Sequence, residues 1–200
     1  MNAPPPMQQR IYELFQRSIE AKMNVGEALA PLLELAASTL VHALIDGKKI
    51  LVCGNGHSSA LAQIFVSCLI DQYDKERPSL PALWLGSTIP SYTAMAAESH
   101  HAEIYAKPIR ALGQEGDVLL VISASGNAGN LLQAVTTAHE RGLQVIALTG
   151  GDGGDIASLL DVQDIELCVQ VESRTRIHEI HLLCLYSLCD LIDHTLFGMD

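Results

Sequence analysis

With 200 residues, 48% of them hydrophobic and only 18% charged, the chain is long enough to bury a sizeable core and too apolar to stay disordered. Its net charge of −11, with 12 Lys and Arg against 23 Asp and Glu, excludes a broad nucleic-acid surface, which needs clustered cations to neutralise phosphates. No apolar run reaches the ~18 residues of a membrane span, and the opening Met1 to Pro6 lacks a signal-peptide core, so the expected setting is the cytoplasm, away from membranes.

Taken in order, residues 1–10 read as a flexible Pro-rich lead and 11–200 as one domain. Ile11, Leu14, Phe15, Ile19 and Met23 recur at helical spacing, and a second helix is expected over 25–46 before Gly47 stops it. This N-terminal helical pair carries more apolar surface than a sheet can cover and is a candidate for subunit packing. Residues 49–53 form a first strand, 54–59 a Gly/Asn/Ser loop and 60–73 a helix. After Pro78 and Pro81 come a short strand at 82–85, a brief helical piece opened by Pro90 around Tyr92, and a helix at 101–112.

The sequence then repeats its first unit: the buried strand 117–123, a polar loop, and a helix from Asn130 stopped by Gly142. A fourth strand (144–149), a glycine turn (150–154), a fifth strand (165–171) and a long, largely apolar helix from Arg174 to Leu196 complete the chain. Strands alternating with helices give an α/β fold, a single doubly wound five-stranded parallel sheet with helices on both faces. Cys53, Cys68, Cys168, Cys184 and Cys189 lie in apolar runs without CxxC spacing and read as reduced core residues.

Both strand–loop–helix units place unpaired helix N–H groups at the end of a strand, where the helix dipole favours an anion. Asn55, Gly56 and Ser58 in the first loop, and Ser123, Ser125 and Asn127 in the second, are therefore candidate contacts for a small phosphate ester. Neither loop completes a Walker or dinucleotide fingerprint.

Gly54 to Gly56 with Ser58, Arg77-Pro78, Gly116 to Leu120, Ser123 with Ser125 to Asn127, Leu148 to Gly150 with Asp152 to Gly154, and Arg176-Ile177 with Glu179 to His181 together resemble the sugar isomerase (SIS) domain family. Within it they resemble the branch that contains sedoheptulose 7-phosphate isomerase and the DnaA initiator-associating protein. The resemblance implies a flavodoxin-like sheet, a phosphosugar crevice and a homotetramer. In the isomerases of that branch a metal is held by His and Glu on the helix after the first loop and by Gln and His on the last helix. The matching positions here are Ile64, Cys68, His178 and Tyr186.

Aldose–ketose isomerisation needs a base and an acid, and Ile64 is neither. The expectation is a chain with no catalytic set, no resident metal and no cofactor, zinc entering only if the isomerase reading holds. The ending, with Leu196 and Phe197 just before the C-terminus, resembles the initiator-associating proteins, which implies a DnaA-like replication initiator as partner and these two residues as its contact. The isomerase of heptose precursor synthesis is the alternative, and a phosphosugar-responsive binding module is a third.

Overall fold

The computed structural model describes residues 6–87, 93–95, 97–98 and 101–198. The expected short helix opened by Pro90, with Tyr92, lies largely outside these residues. Five parallel strands, β1 (Ile50–Gly54), β2 (Ala82–Trp84), β3 (Val118–Ile122), β4 (Gln144–Gly150) and β5 (Ile165–Val169), form one sheet in the order β2-β1-β3-β4-β5. Helices α1 (Met7–Ile45), α2 (His57–Ile70) and α6 (Arg174–Phe197) cover one face, and α3 (Ala106–Leu112), α4 (Gly129–Glu140) and α5 (Gly154–Leu159) cover the other. The fold is the expected doubly wound one.

Alternation along the strands divides two cores. Val52, Leu120, Ile122, Ile146 and Leu148 point to the α1/α2/α6 side, while Leu51, Cys53, Leu119, Val121 and Val145 point to the α3/α4/α5 side. Every residue of β1 and β3 is buried, as strands covered on both faces must be.

Three expectations need correcting. The N-terminal pair is one continuous helix of 39 residues, about 58 Å long at 1.5 Å per residue. The expected boundary between Met23 and Val25 is not there, and α1 also runs through Gly26 and Pro31: a mid-helix glycine costs only about 1 kcal/mol, and Pro31 is exposed, so water can take the carbonyl it leaves free. Burial of Leu29, Ala36, Ala37, Leu40 and Val41 beyond it outweighs both. The Pro-rich lead is also shorter, since residues 7–10 are helical. Finally, 101–112 is a 3-10 turn (His101–Glu103) followed by α3, because Pro108 fits the first turn of a helix but not its interior. By length and composition α1 and α6 are each apolar enough to cross a bilayer, but both lend buried residues to this core.

The far end of α2 is fixed by Arg77. Its guanidinium donates to the last α2 carbonyls, Cys68 O and Leu69 O (both 2.6 Å), and pairs with Asp193 of α6 at 2.9 Å, with side chains 0% and 7% exposed. One cation thus caps one helix and ties it to another. Arg77→Met is expected to lower stability by about 3–5 kcal/mol in urea denaturation at pH 7, because Asp193 is left buried and unpaired.

Candidate ligand crevice

β1 and β3 pair from Ile50↔Val118 to Gly54↔Ile122, so they end level and both following loops open at the same place. Here the strand order reverses, β1 leading outward to β2 and β3 to β4, and open α/β sheets bind ligands at such a point. Gly54 permits the close approach, since a Cβ there would sit 2.9 Å from the Ile122 carbonyl oxygen and from Ser58 Cβ. Gly126, at φ +68°, seats the second loop on the β4–α5 turn, where a Cβ would meet Gly153 O at 1.9 Å.

Between the loops lies a cavity of about 420 Å³, in the range of small-molecule sites. Asn55, Gly56, Ser58, Ser123 and Ser125 line it, five of the six residues expected from the loops. Asn127 does not: its Oδ1 accepts the Asp155 N–H at 2.8 Å and so holds the start of α5. The Asn55 side chain is also engaged, in a reciprocal amide pair with Asn130 (2.8 and 2.9 Å) beside the Tyr105 hydroxyl, which donates to Gly54 O at 2.6 Å. Ser123 Oγ accepts the Gly126 N–H at 3.0 Å, which leaves its own proton for a ligand.

Sequence reasoning missed His57, from the start of α2, and Arg174, from the start of α6; both line the cavity together with His178. The His57 and His178 rings meet edge to face at 5.3 Å, and His178 meets His181 at 6.3 Å. His181 is fully buried, and its Nε2–H donates to Thr149 O at 2.8 Å. Burial pushes the His181 pKa down to about 4, and burial, then His57 and Arg174, lowers that of His178, so both imidazoles are neutral at pH 7.

The SIS domain pattern matches residues 14–150. The chain belongs to the SIS domain family. It is 47% identical over 195 residues to a phosphoheptose isomerase of Thiobacillus denitrificans, covering 98% of this chain and 99% of that one. It is 48% identical over 191 residues to the DnaA initiator-associating protein DiaA of Shigella flexneri, covering 96% and 97%. The solved phosphoheptose isomerase of Francisella tularensis superposes with a TM-score of 0.91 at 42% identity, over 95% of this chain and 100% of that one. That of Neisseria gonorrhoeae gives 0.89 at 39% identity, over 94% and 99%.

Among the SIS positions tied to metal and proton transfer, Ile64 packs against the core and offers no donor. Cys68 hydrogen-bonds Cys189, and burial raises both thiols. Tyr186 lies over Tyr73, its ring 5.7 Å away. His57 faces His178, and Cys68 faces Cys189, eleven residues further along both helices, or about 16 Å. Within the chain, Cys68 and His178 therefore do not converge, and this donor set does not fit a zinc ion, which takes four close ligands.

A second cluster stands at the opposite end of the sheet, where His139, Asp161 and Asp164 bring donor atoms within 4.8 Å of one another. Asp164 is already committed, accepting from Val145 N (2.8 Å) and Asp161 N (2.8 Å) and pairing with His139 Nε2 at 2.7 Å. It clasps the loops entering β4 and β5.

His181 gives a testable pH dependence. A histidine held neutral in the fold takes up its proton more readily when unfolded, so stability falls as pH drops below the ordinary value of 6.5 and levels off near 4. Glu179 does not blur this window: burial favours raising its carboxyl, but hydrogen bonds from Lys22, Ser18 and Arg176 outweigh that and hold it at about 2, so its share is lost only in stronger acid. Urea denaturation is expected to lose about 2 kcal/mol from His181 between pH 7 and pH 5, and His181→Gln to remove that part of the slope.

Proposed function

We propose that this SIS-domain chain binds a sugar phosphate in the β1/β3 crevice without isomerising it, and acts in the cytoplasm as a homotetramer on a DnaA-like replication initiator. The observation that carries the reading is the contrast between the two halves of the site. The loop hydroxyls and helix starts that would hold a phosphate line the crevice, whereas Ile64, Cys68 and Tyr186, at the positions for proton transfer and metal, lie in the α2/α6 seam and its flank. An isomerase must move a proton between adjacent carbons, and neither a hydrocarbon nor a half-buried thiol of raised pKa does so.

The initiator is supported by the likeness to DiaA and by a net charge of −11, which favours a basic partner over nucleic acid. Leu196 and Phe197 end α6 half-buried, packed against the core with part of their surface free for an anchor contact. Assembly is supported by α1, whose first half exposes Ile11 (54%), Tyr12 (73%), Phe15 (68%), Ile19 (59%) and Met23 (74%), an apolar face too large for a free helix. Linked copies would amplify a weak contact at each chain by roughly a hundredfold or more.

The second reading is a phosphoheptose isomerase using zinc, favoured by the names of the isomerase relatives at 47% and 49% identity. Incubation with sedoheptulose 7-phosphate separates the two. No aldose product is expected with or without added zinc, and metal-dependent turnover lost on Cys68→Ala would establish the isomerase instead.

Light scattering at micromolar concentration is expected to give four times the chain mass, and a monomer would refute the assembly. Phe197→Ala, which removes on the order of 2 kcal/mol per contact, is expected to abolish initiator pull-down while leaving that mass unchanged. Normal pull-down by the variant would misplace the anchor, and dissociation would assign Phe197 to the subunit interface.

A further inference from the structure

We propose that the crevice takes a sugar with two anionic groups, a phosphate on the serine side and a second phosphate or a carboxylate against His57, Arg174 and His178. The inference rests on the sugar-phosphate reading above and extends it to the class of ligand.

The polar residues that line the cavity fall into two kinds. Ser58, Ser123 and Ser125 offer neutral hydroxyls beside the first N–H groups of α2 and α4, enough for one phosphate. The rest of the polar lining includes a guanidinium and two imidazoles, and among the described residues no carboxylate lines the cavity. In a chain with nearly twice as many acidic as basic residues, a crevice whose described titratable groups are all basic is a departure that needs a ligand to account for it.

Arg174 stands without a carboxylate partner among the described residues, unlike Arg77, Arg110 and Arg176, which pair with Asp193, Glu103 and Glu179. His178 Nδ1 is buried with no hydrogen-bond partner. Sugar hydroxyls both donate and accept, and are well met by serine and amide groups. A free guanidinium beside imidazoles offers mostly donors and gains most from a charged oxygen group, which it can bind through two parallel hydrogen bonds. The positive character of these groups is felt by His178, whose pKa is lowered first by burial and then by His57 and Arg174. An anion bound there would favour the protonated imidazole, which burial, His57 and Arg174 otherwise disfavour.

Isothermal titration of the full chain, in one buffer and salt, compares three probes: fructose 6-phosphate, fructose 1,6-bisphosphate and 6-phosphogluconate. At least one doubly anionic probe is expected to bind about tenfold or more tighter than fructose 6-phosphate. The bisphosphate and phosphogluconate arms tell a second phosphate from a carboxylate. His57 and Arg174 are exposed, so the double variant His57→Gln, Arg174→Gln should fold, as its melting temperature checks, and should bring the ratio of affinities close to one. Equal binding of all three probes to the native chain, or a preference that survives the double variant, overturns the inference. Binding of fructose 6-phosphate without preference overturns it alone; no binding of any probe overturns the sugar-phosphate reading with it.

Discussion

Two neighbouring strands at the centre of the sheet lead the chain in opposite directions, β1 toward β2 and β3 toward β4, so the loops above them diverge and a gap opens at their carboxyl ends. The rest of the site is built around holding that gap at one width. Gly54 lets α2 begin against β3, and the amide pair of Asn55 and Asn130 ties the two loops across the opening. Tyr105, buried beneath, donates to the carbonyl at the end of β1. The helix starts are aimed by these contacts, while the end of α2 is fixed from behind by Arg77 and Asp193. A rigid opening lined by donors has its ligand contacts arranged before the ligand arrives, which lowers the entropy lost on binding.

Much of this was legible as pattern. Four of the five strands are apolar runs with glycine or proline close by, and β5 instead alternates Ile165, Leu167 and Val169 with Glu166 and Cys168; only the strand ends shifted by a residue or two. The failures came where local signals were weighed without their tertiary context. The apolar spacing from Ile11 to Met23 and that over 25–46 read as two helices, and only the packing that buries Leu29 and the small residues after it shows why α1 runs on unbroken, through Gly26 and Pro31 as well. Pro108 worked the other way: the apolar spacing of 101–112 hid a proline that forces the helix to restart at Ala106.

The crevice was legible to the same degree and for the same reason. Loop residues adjacent in sequence stay adjacent in space, so Ser58, Ser123 and Ser125 could be placed from the two strand–loop–helix units. Asn55 and Asn127 belong to the loops as expected, but their side chains hold backbone and neighbouring helices. Arg174 and His57 lie 117 positions apart in the chain and meet only because α6 crosses back over the sheet beside α2. No local spacing encodes that approach; a cation at the first turn of a helix, where it opposes the dipole, is the one trace it leaves.

The seam between α2 and α6 shows what the substituted positions do instead. Cys68 against Cys189, Ile64 in the core and Tyr186 over Tyr73 make a packed contact between two parallel helices, with Arg77 and Asp193 at its far end. Only its near end, at His57 and His178, opens into the cavity, so chemistry is confined to one turn of each helix. This separation also reconciles an acidic protein with an anionic ligand. At physiological salt a net charge of −11 is screened beyond about 8 Å, so it acts on large partners that cover much of the surface. At the crevice the nearest charges are Arg174 and the dipoles of α2 and α4, within a Debye length of a bound ligand and all favouring an anion. Overall charge and local charge thus act at different distances, and the proposed basic partner outside is compatible with the proposed phosphorylated sugar inside.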